Sequence, residues 1–261
     1  VTPDDTDSAI GGGGSRQSEI WGLNAPEFAR TETQVFRWNG IRWNESELTA
    51  NRPGIGEIVD ITGASGDDVW VATKRDLYRF HRGEWTHISD DGSQVAQVIA
   101  QRDTDITTTL IDAESGGYVA MGPVLFELTK ADGSWTLQEF KTTPCERIAN
   151  VHRSRDESLW IAGTPMCVAR STDEGWEVFE PTFDWDPNAP SGEPIPLMKW
   201  DFFEDPDRQN PLAATVIGVL KPTDDGNLQP MGGSNLVGAT HISGADAIVG
   251  VRYSGIVARY D

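Results

Sequence analysis

The chain is poor in several features that would announce a function directly. Of its 261 residues, two are Cys and four are His, so a disulfide-dense scaffold is excluded, and these residues show no Cys/His zinc spacing. Basic residues number 21 against 41 acidic ones, and five of the 21 are Lys. The net charge of −20 speaks against nucleic acid and anionic membranes as partners, because both select basic faces. It suits cations, basic partners or solubility in a salty medium. No apolar run reaches the ~18 residues that a spanning helix needs. GxSxG, HExxH, a P-loop and a dinucleotide fingerprint are all missing. With so many carboxylates, pairs at glycosidase-like spacing arise by chance and carry no signal. Helical periodicity is almost absent.

Ten Trp and 27 Gly are present, and most fall in a repeat of about 40–50 residues. A Trp-bearing apolar strand leads to a second apolar strand, a Gly turn and a strand that opens near another Trp. The copies read SEIWGLN with QVFRWNGIRW (18–43), DDVWVAT with DLYRFHRGEW (67–85), GGYVAMG with VLFELTKADGSW (116–135), and ESLWIAG with CVARSTDEGW (157–176). Short strands repeating at this length indicate an all-β radial architecture, a β-propeller of four-stranded blades. The expected strands A to D, counted outward from the axis, are 57–63, 68–73, 77–82 and 84–89 in the second blade. In the fourth they are 147–153, 159–162, 167–171 and 176–180. The third blade reads as an A strand near 95–101, an irregular insertion over 103–115, then strands at 118–121, 124–128 and 135–140. Gly40, Gly83, Gly133 and Gly175 sit where tight C–D hairpins need positive φ.

The second half is less regular. Strands are expected at 197–203, 213–220 and 227–230, then at 236–242, 247–251 and 255–260. The last blade lacks one strand, which residues 1–6 supply in the simplest closure. That gives six blades, or five if the irregular region makes only one, in a single domain over 1–261. The polar, Gly-rich start resembles that of a processed protein, and its IGGGGS segment parallels the loop at 61–66.

The strings VWVAT…LYRFHRGEW and IWGLN…VFRWNGIRW resemble the Trp-rich propeller repeats of bacterial secreted and lipoprotein-type proteins, abundant in myxobacteria and their relatives. They are also similar to propeller repeats in sensor ectodomains of two-component regulators. STDEGW (171–176) and KADGSW (130–135) look like degenerate Asp-box turns. The resemblance covers 18–180 well and 196–261 poorly. It implies a propeller in an extracellular, periplasmic or cell-surface setting and carries over no catalytic residue.

In a four-stranded blade the D–A and B–C loops share one face. Cys145 falls in a D–A loop and Cys167 just after a B–C loop, so a Cys145–Cys167 disulfide is expected. That face also carries the longest insertions, where binding usually resides. Trp185, between Asp184 and Asp186, lies in the largest of them, off the Trp repeat. It suits a sugar or a protein hot spot, or else packs under its own loop; Phe28 and Arg52 are weaker companions. His152 and His241 fall in A strands at nearly one level, with Asp60 and Asn150 nearby. They form either a channel metal or acid–base site, or ordinary inter-blade packing. His81 and His87 read as outer-strand surface residues. Glu204, Asp205 and Asp207 are the best candidate Ca²⁺ ligands, although the full 12-residue calcium pattern is absent; no other cofactor is indicated.

These features favour a non-catalytic binding or scaffold propeller that recognises a protein or glycan. Two rivals stand beside it: a hydrolase or lyase at the channel mouth, and a structural subunit of a larger extracellular assembly.

Overall fold

A computed structural model describes residues 20–23, 34–38, 41–51, 54–65, 67–113, 116–164, 166–181, 201–203, 210–215, 218–232, 236–242, 247–252 and 257–260. The chain divides into two compact units, residues 1–142 and 143–261.

Among the described residues the first unit contains three antiparallel sheets, each built in sequence order. The first is β1 (Ile20–Leu23), β2 (Val35–Trp38) and β3 (Trp43–Glu45), followed by one helical turn, α1 (Glu47–Ala50). The second is β4 (Ile58–Ser65), β5 (Asp68–Thr73), β6 (Leu77–His81) and β7 (Glu84–His87). Helix α2 (Gln94–Ala100) then leads to the third, β8 (Ile106–Ala113), β9 (Gly116–Met121), β10 (Val124–Ala131) and β11 (Ser134–Thr142). In the second unit β12 (Arg147–Arg153), β13 (Leu159–Thr164), β14 (Cys167–Ser171) and β15 (Trp176–Pro181) form a fourth meander. A fifth comprises β16 (Asp201–Phe203), β17 (Leu212–Thr215), β18 (Gly218–Pro222) and β19 (Asn227–Gly232). Parallel pairing of Glu180 with Asn227 and of Pro181 with Leu228 joins these two edge to edge. The sixth sheet is β20 (Leu236–Ile242), β21 (Ala247–Arg252) and β22 (Val257–Tyr260).

The strands follow from local chemistry. β5 reads DVWVAT, and every residue of it is buried, as a strand covered on both faces requires. Its neighbour β7 alternates between exposed and half-buried positions, the mark of an outer strand. The β6–β7 and β10–β11 hairpins turn through Arg82–Gly83 (φ +52°, +91°) and Asp132–Gly133 (φ +52°, +82°). Positive φ at both central residues matches the twist of the flanking strands. The second and third sheets share one apolar core containing Trp70, Leu77, Ile106, Val119, Phe126 and Leu137. In the second unit Trp160, Val168, Phe179, Phe202 and Leu220 form another.

Three expectations need correction. Residues 95–101 are not an inner strand; they lie in α2, capped by Ser93, whose Oγ accepts from the Ala96 N–H at 3.0 Å. Val95 and Ile99, one helical turn apart, bury the apolar side of this helix. The innermost strand of the third sheet is instead β8, inside the segment read as an irregular insertion. Residues 213–220 are not one strand but fall in two antiparallel strands, β17 and β18, which makes the fifth meander four-stranded. α2 also shields an edge. The Gln94 side chain donates to Leu137 O at 2.9 Å and accepts from Leu137 N at 2.7 Å, so one carboxamide takes the place of another strand at the rim of β11. The expected closing strand at residues 1–6 lies outside the described residues.

Candidate functional site

The innermost strands carry a common irregularity. A register shift follows Ile58 in β4, Ile106 in β8, Ile148 in β12 and Leu236 in β20. These bulges place Asp60, Thr108, Asn150 and Gly238 at equivalent positions. Asp60 Oδ2 accepts from Thr108 Oγ1 at 2.8 Å, Thr109 N at 2.7 Å and Thr109 Oγ1 at 3.3 Å, and its Oδ1 from Ile61 N at 2.8 Å. It thereby ties β4 to β8. Loss of water around the carboxyl raises its pKa, and the four hydrogen bonds offset this only in part.

His152 pairs across the ladder with Trp160, and its ring stacks on Phe202 of β16 at 5.8 Å. Counted from the bulges, His152 corresponds to Thr240, and His241 to Arg153. The two His residues are therefore one register step apart in the backbone pairing of their strands. Asp60 lies in the first unit, and Asn150 and His152 in the second.

His81 and His87, expected at the surface, are only half-exposed. His81 Nδ1 is 4.0 Å from Asp68 Oδ1. The His87 ring stacks on Tyr78 at 4.6 Å, with Nε2 2.8 Å from Asp76 Oδ1 and 3.2 Å from Ser89 Oγ. Ser89 Oγ also accepts from Leu77 N at 2.9 Å, so this Ser–His–Asp contact holds the β6–β7 edge rather than presenting a nucleophile.

A feature that the sequence reading missed runs across the sheets. In the backbone register the B-strand Trp pairs with a C-strand Arg: Trp21 with Arg37, Trp70 with Arg79, Trp160 with Arg170. Arg79 makes a buried bidentate pair with Asp68, both bonds 2.7 Å, and lies 5.3 Å over Trp70 and 5.3 Å over Trp135 of the third sheet. Arg170 holds Glu177 at 2.6 Å, covers Trp160 at 5.6 Å and donates to Asn210 beside β17 at 3.2 Å. Arg37 covers Phe80 of the second sheet at 5.1 Å. Each guanidinium thus joins its own sheet to the next. The signal was legible as the third residue of VFRW (35–38), LYRF (77–80) and VARS (168–171), and recurs in the sequence as VARY (257–260), where Arg259 pairs in register with Val249.

The Cys145–Cys167 disulfide is present, with Cα atoms 5.5 Å apart and both residues buried. It links the segment before β12 to the start of β14, passing the end of the intervening β13. Gly163 makes this possible, because a Cβ there would lie 2.0 Å from Arg147 O and 3.2 Å from Cys145 Cβ. Trp185, Asp184, Asp186, Arg52, Phe28, Glu204, Asp205 and Asp207 lie outside the described residues, as does the side chain of His241. Among the described residues no group of three or more His, Cys, Asp or Glu is placed to hold a metal, and no helix is long and apolar enough to cross a membrane.

No family model and no curated protein matches the chain. Solved structures do. A catalytically inactive virginiamycin B lyase from Staphylococcus aureus, solved with quinupristin, is similar at 14% identity and TM-score 0.61, over 100% of this chain and 86% of that one. The extracellular domain of the putative hybrid two component system BT4673 from B. thetaiotaomicron aligns at 12% and 0.64, over 96% of this chain and 31% of that one. YCF48 bound to a D1 peptide aligns at 16% and 0.55, over 95% and 76%. At such identities the likeness shows the fold: the chain is an all-β propeller, and its meanders are blades.

Proposed function

We propose that this protein is a non-catalytic binding or scaffold propeller working outside the cytoplasm, at the cell surface, in the periplasm or in the extracellular space. The observation that carries this reading is how the charged side chains inside the blades are used. Arg79, Arg170, Asp68 and Asp60 are engaged in contacts that hold one blade to the next, a rigid frame on which loops can be presented at small entropic cost. The disulfide supports an oxidising compartment. Propeller neighbours that include a sensor ectodomain and a peptide-bound protein are in keeping with it.

In this reading the chain is one domain of six blades closed by its N-terminal segment, and the D–A and B–C loop face recognises a protein or glycan, with Trp185 as the main anchor. The test is a glycan and peptide array with purified wild-type and Trp185→Ala protein. The variant is expected to keep its melting temperature and lose more than ~2 kcal/mol of binding. Lost stability with retained binding assigns Trp185 to the packing of its own loop. Turnover of an arrayed glycan or peptide rejects the non-catalytic reading.

A further inference from the structure

The carboxylate that ties the second blade to the third has no cation beside it. The partners of Asp60 are all neutral: Thr108 Oγ1 at 2.8 Å, Thr109 N at 2.7 Å and Thr109 Oγ1 at 3.3 Å from β8, and Ile61 N at 2.8 Å. The bulges in β4 and β8 bring these groups together. Other charged residues of the packed strands are committed elsewhere. Glu57, just before β4, pairs with Lys74, Asp68 of β5 with Arg79, and Asp105, just before β8, with Arg75. β9 carries no charged residue, and the side chain of Asp112 on β8 lies outside the described residues. Asp68 is answered by a guanidinium, whereas Asp60 is not, and a carboxyl drawn out of water without a cation disfavours its charged form.

The partners suit both protonation states. A hydroxyl donates to a carboxylate and accepts from a carboxylic acid without moving its oxygen. Thr108 Oγ1 can therefore accept the proton of Asp60 Oδ2 in a reversed hydrogen bond, while the backbone N–H groups of Ile61 and Thr109 go on donating. Thr109 Oγ1 lies 3.3 Å from Thr62 Oγ1 of β4, and either can be the donor, so this pair can turn as well.

We propose that Asp60 is a proton-operated latch between the second and third blades: uptake of a proton from solvent on Oδ2 tightens the joint between β4 and β8, and its release loosens the joint. Both strands belong to the first unit, and Asp60 is half-buried, so protons reach it. The rise of its pKa on loss of water has the matching sense. The folded protein keeps this proton where the unfolded chain has released it, so the latch is fully closed below the ordinary aspartate range and opens as pH rises through the folded value. The acidity of the surroundings thus sets how firmly the frame holds its loops, whatever those loops bind.

The test is carboxyl carbon NMR of the full chain through an acid titration, with hydrogen exchange of the Thr109 amide as the joint's own readout. The Asp60 carboxyl is expected to titrate above the ordinary aspartate range. Protection of the Thr109 amide, corrected for intrinsic exchange, should rise severalfold below that midpoint relative to Ile161 of the fourth blade, which serves as the reference for global opening. Asp60→Asn, neutral at every pH, is expected to abolish this pH dependence of the ratio. Asp67→Asn, at an exposed carboxylate beside β5, is expected to keep it. Titration of Asp60 within or below the ordinary range overturns the proposal. So does a ratio that is flat with pH in the wild type, or that still varies in Asp60→Asn. The wild-type titration and exchange decide the matter if Asp60→Asn does not fold.

Discussion

The second and third blades are neighbours with the same four-strand meander and opposite uses of the same row. In the second, Trp70 is 1% exposed and Arg79 6%, and the guanidinium is consumed by Asp68 and two indoles. In the third, Tyr118 and Glu127 take those positions and part of the row faces solvent. The repeat therefore specifies where a strand runs more strictly than what its outward row does. The second blade spends that row on holding its neighbour, and the third carries different residues there.

The largest way to break the comparison is to truncate its aromatics. Trp70→Ala is expected to cost ~3–5 kcal/mol in urea denaturation, because it opens a cavity in the core shared with Ile106 and Phe126. Tyr118→Ala, half-exposed, should cost less than half as much. Equal costs would mean that the third blade's row is as buried as the second's.

A pH-dependent effect lies between the same two blades, at Asp60. Its pKa is raised in the folded protein, chiefly by burial, so the folded state holds a proton that the unfolded chain releases more readily. The associated stability is present in full below the ordinary aspartate range and is lost as pH rises through the folded value. Wild-type protein should gain stability relative to Asp60→Asn as pH falls. A difference that stays constant with pH would show that hydrogen bonds from Thr108 and Thr109 balance burial, and one that runs the other way that they outweigh it.

The smallest contrast lies in the hairpins. Arg82 and Asp132 both hold φ of +52° before a Gly. Asp tolerates that conformation better than Arg does, so Arg82→Asn should stabilise by a few tenths to ~1 kcal/mol while Asp132→Asn stays near neutral. Destabilisation by Arg82→Asn would mean that the Arg82 side chain makes a contact worth more than the strain.

Much of this was legible in the sequence. The four strands of the second blade and those of the fourth follow from Trp spacing, alternation and Gly turns, and the disulfide follows from two loops sharing a face. The third blade misled because QVAQVIA is apolar enough to pass for a strand, although Val95, Val98 and Ile99 follow helical spacing behind a Ser cap. The Thr-rich ITTTLIDA was a strand all along, its β-branched run obscured by the polar hydroxyls that meet Asp60. His152 and His241 both fall in inner strands, β12 and β20, as the spacing indicates. The Arg row went unread because its partners lie on separate strands, and only cross-strand register brings Arg79 to Asp68 and Trp135.

The account's central claim is that the second blade's row is held by its own arginine, whereas the third blade has a carboxylate at that position. Urea denaturation of the reciprocal pair, Arg79→Glu and Glu127→Arg, tests it most directly. The account predicts a loss of ~3 kcal/mol or more for Arg79→Glu, which leaves Asp68 buried against a second carboxylate, and a gain of ~0.5–1 kcal/mol for Glu127→Arg, whose guanidinium would cover Tyr118. A tolerated Arg79→Glu, or a Glu127→Arg that destabilises the protein, would contradict it.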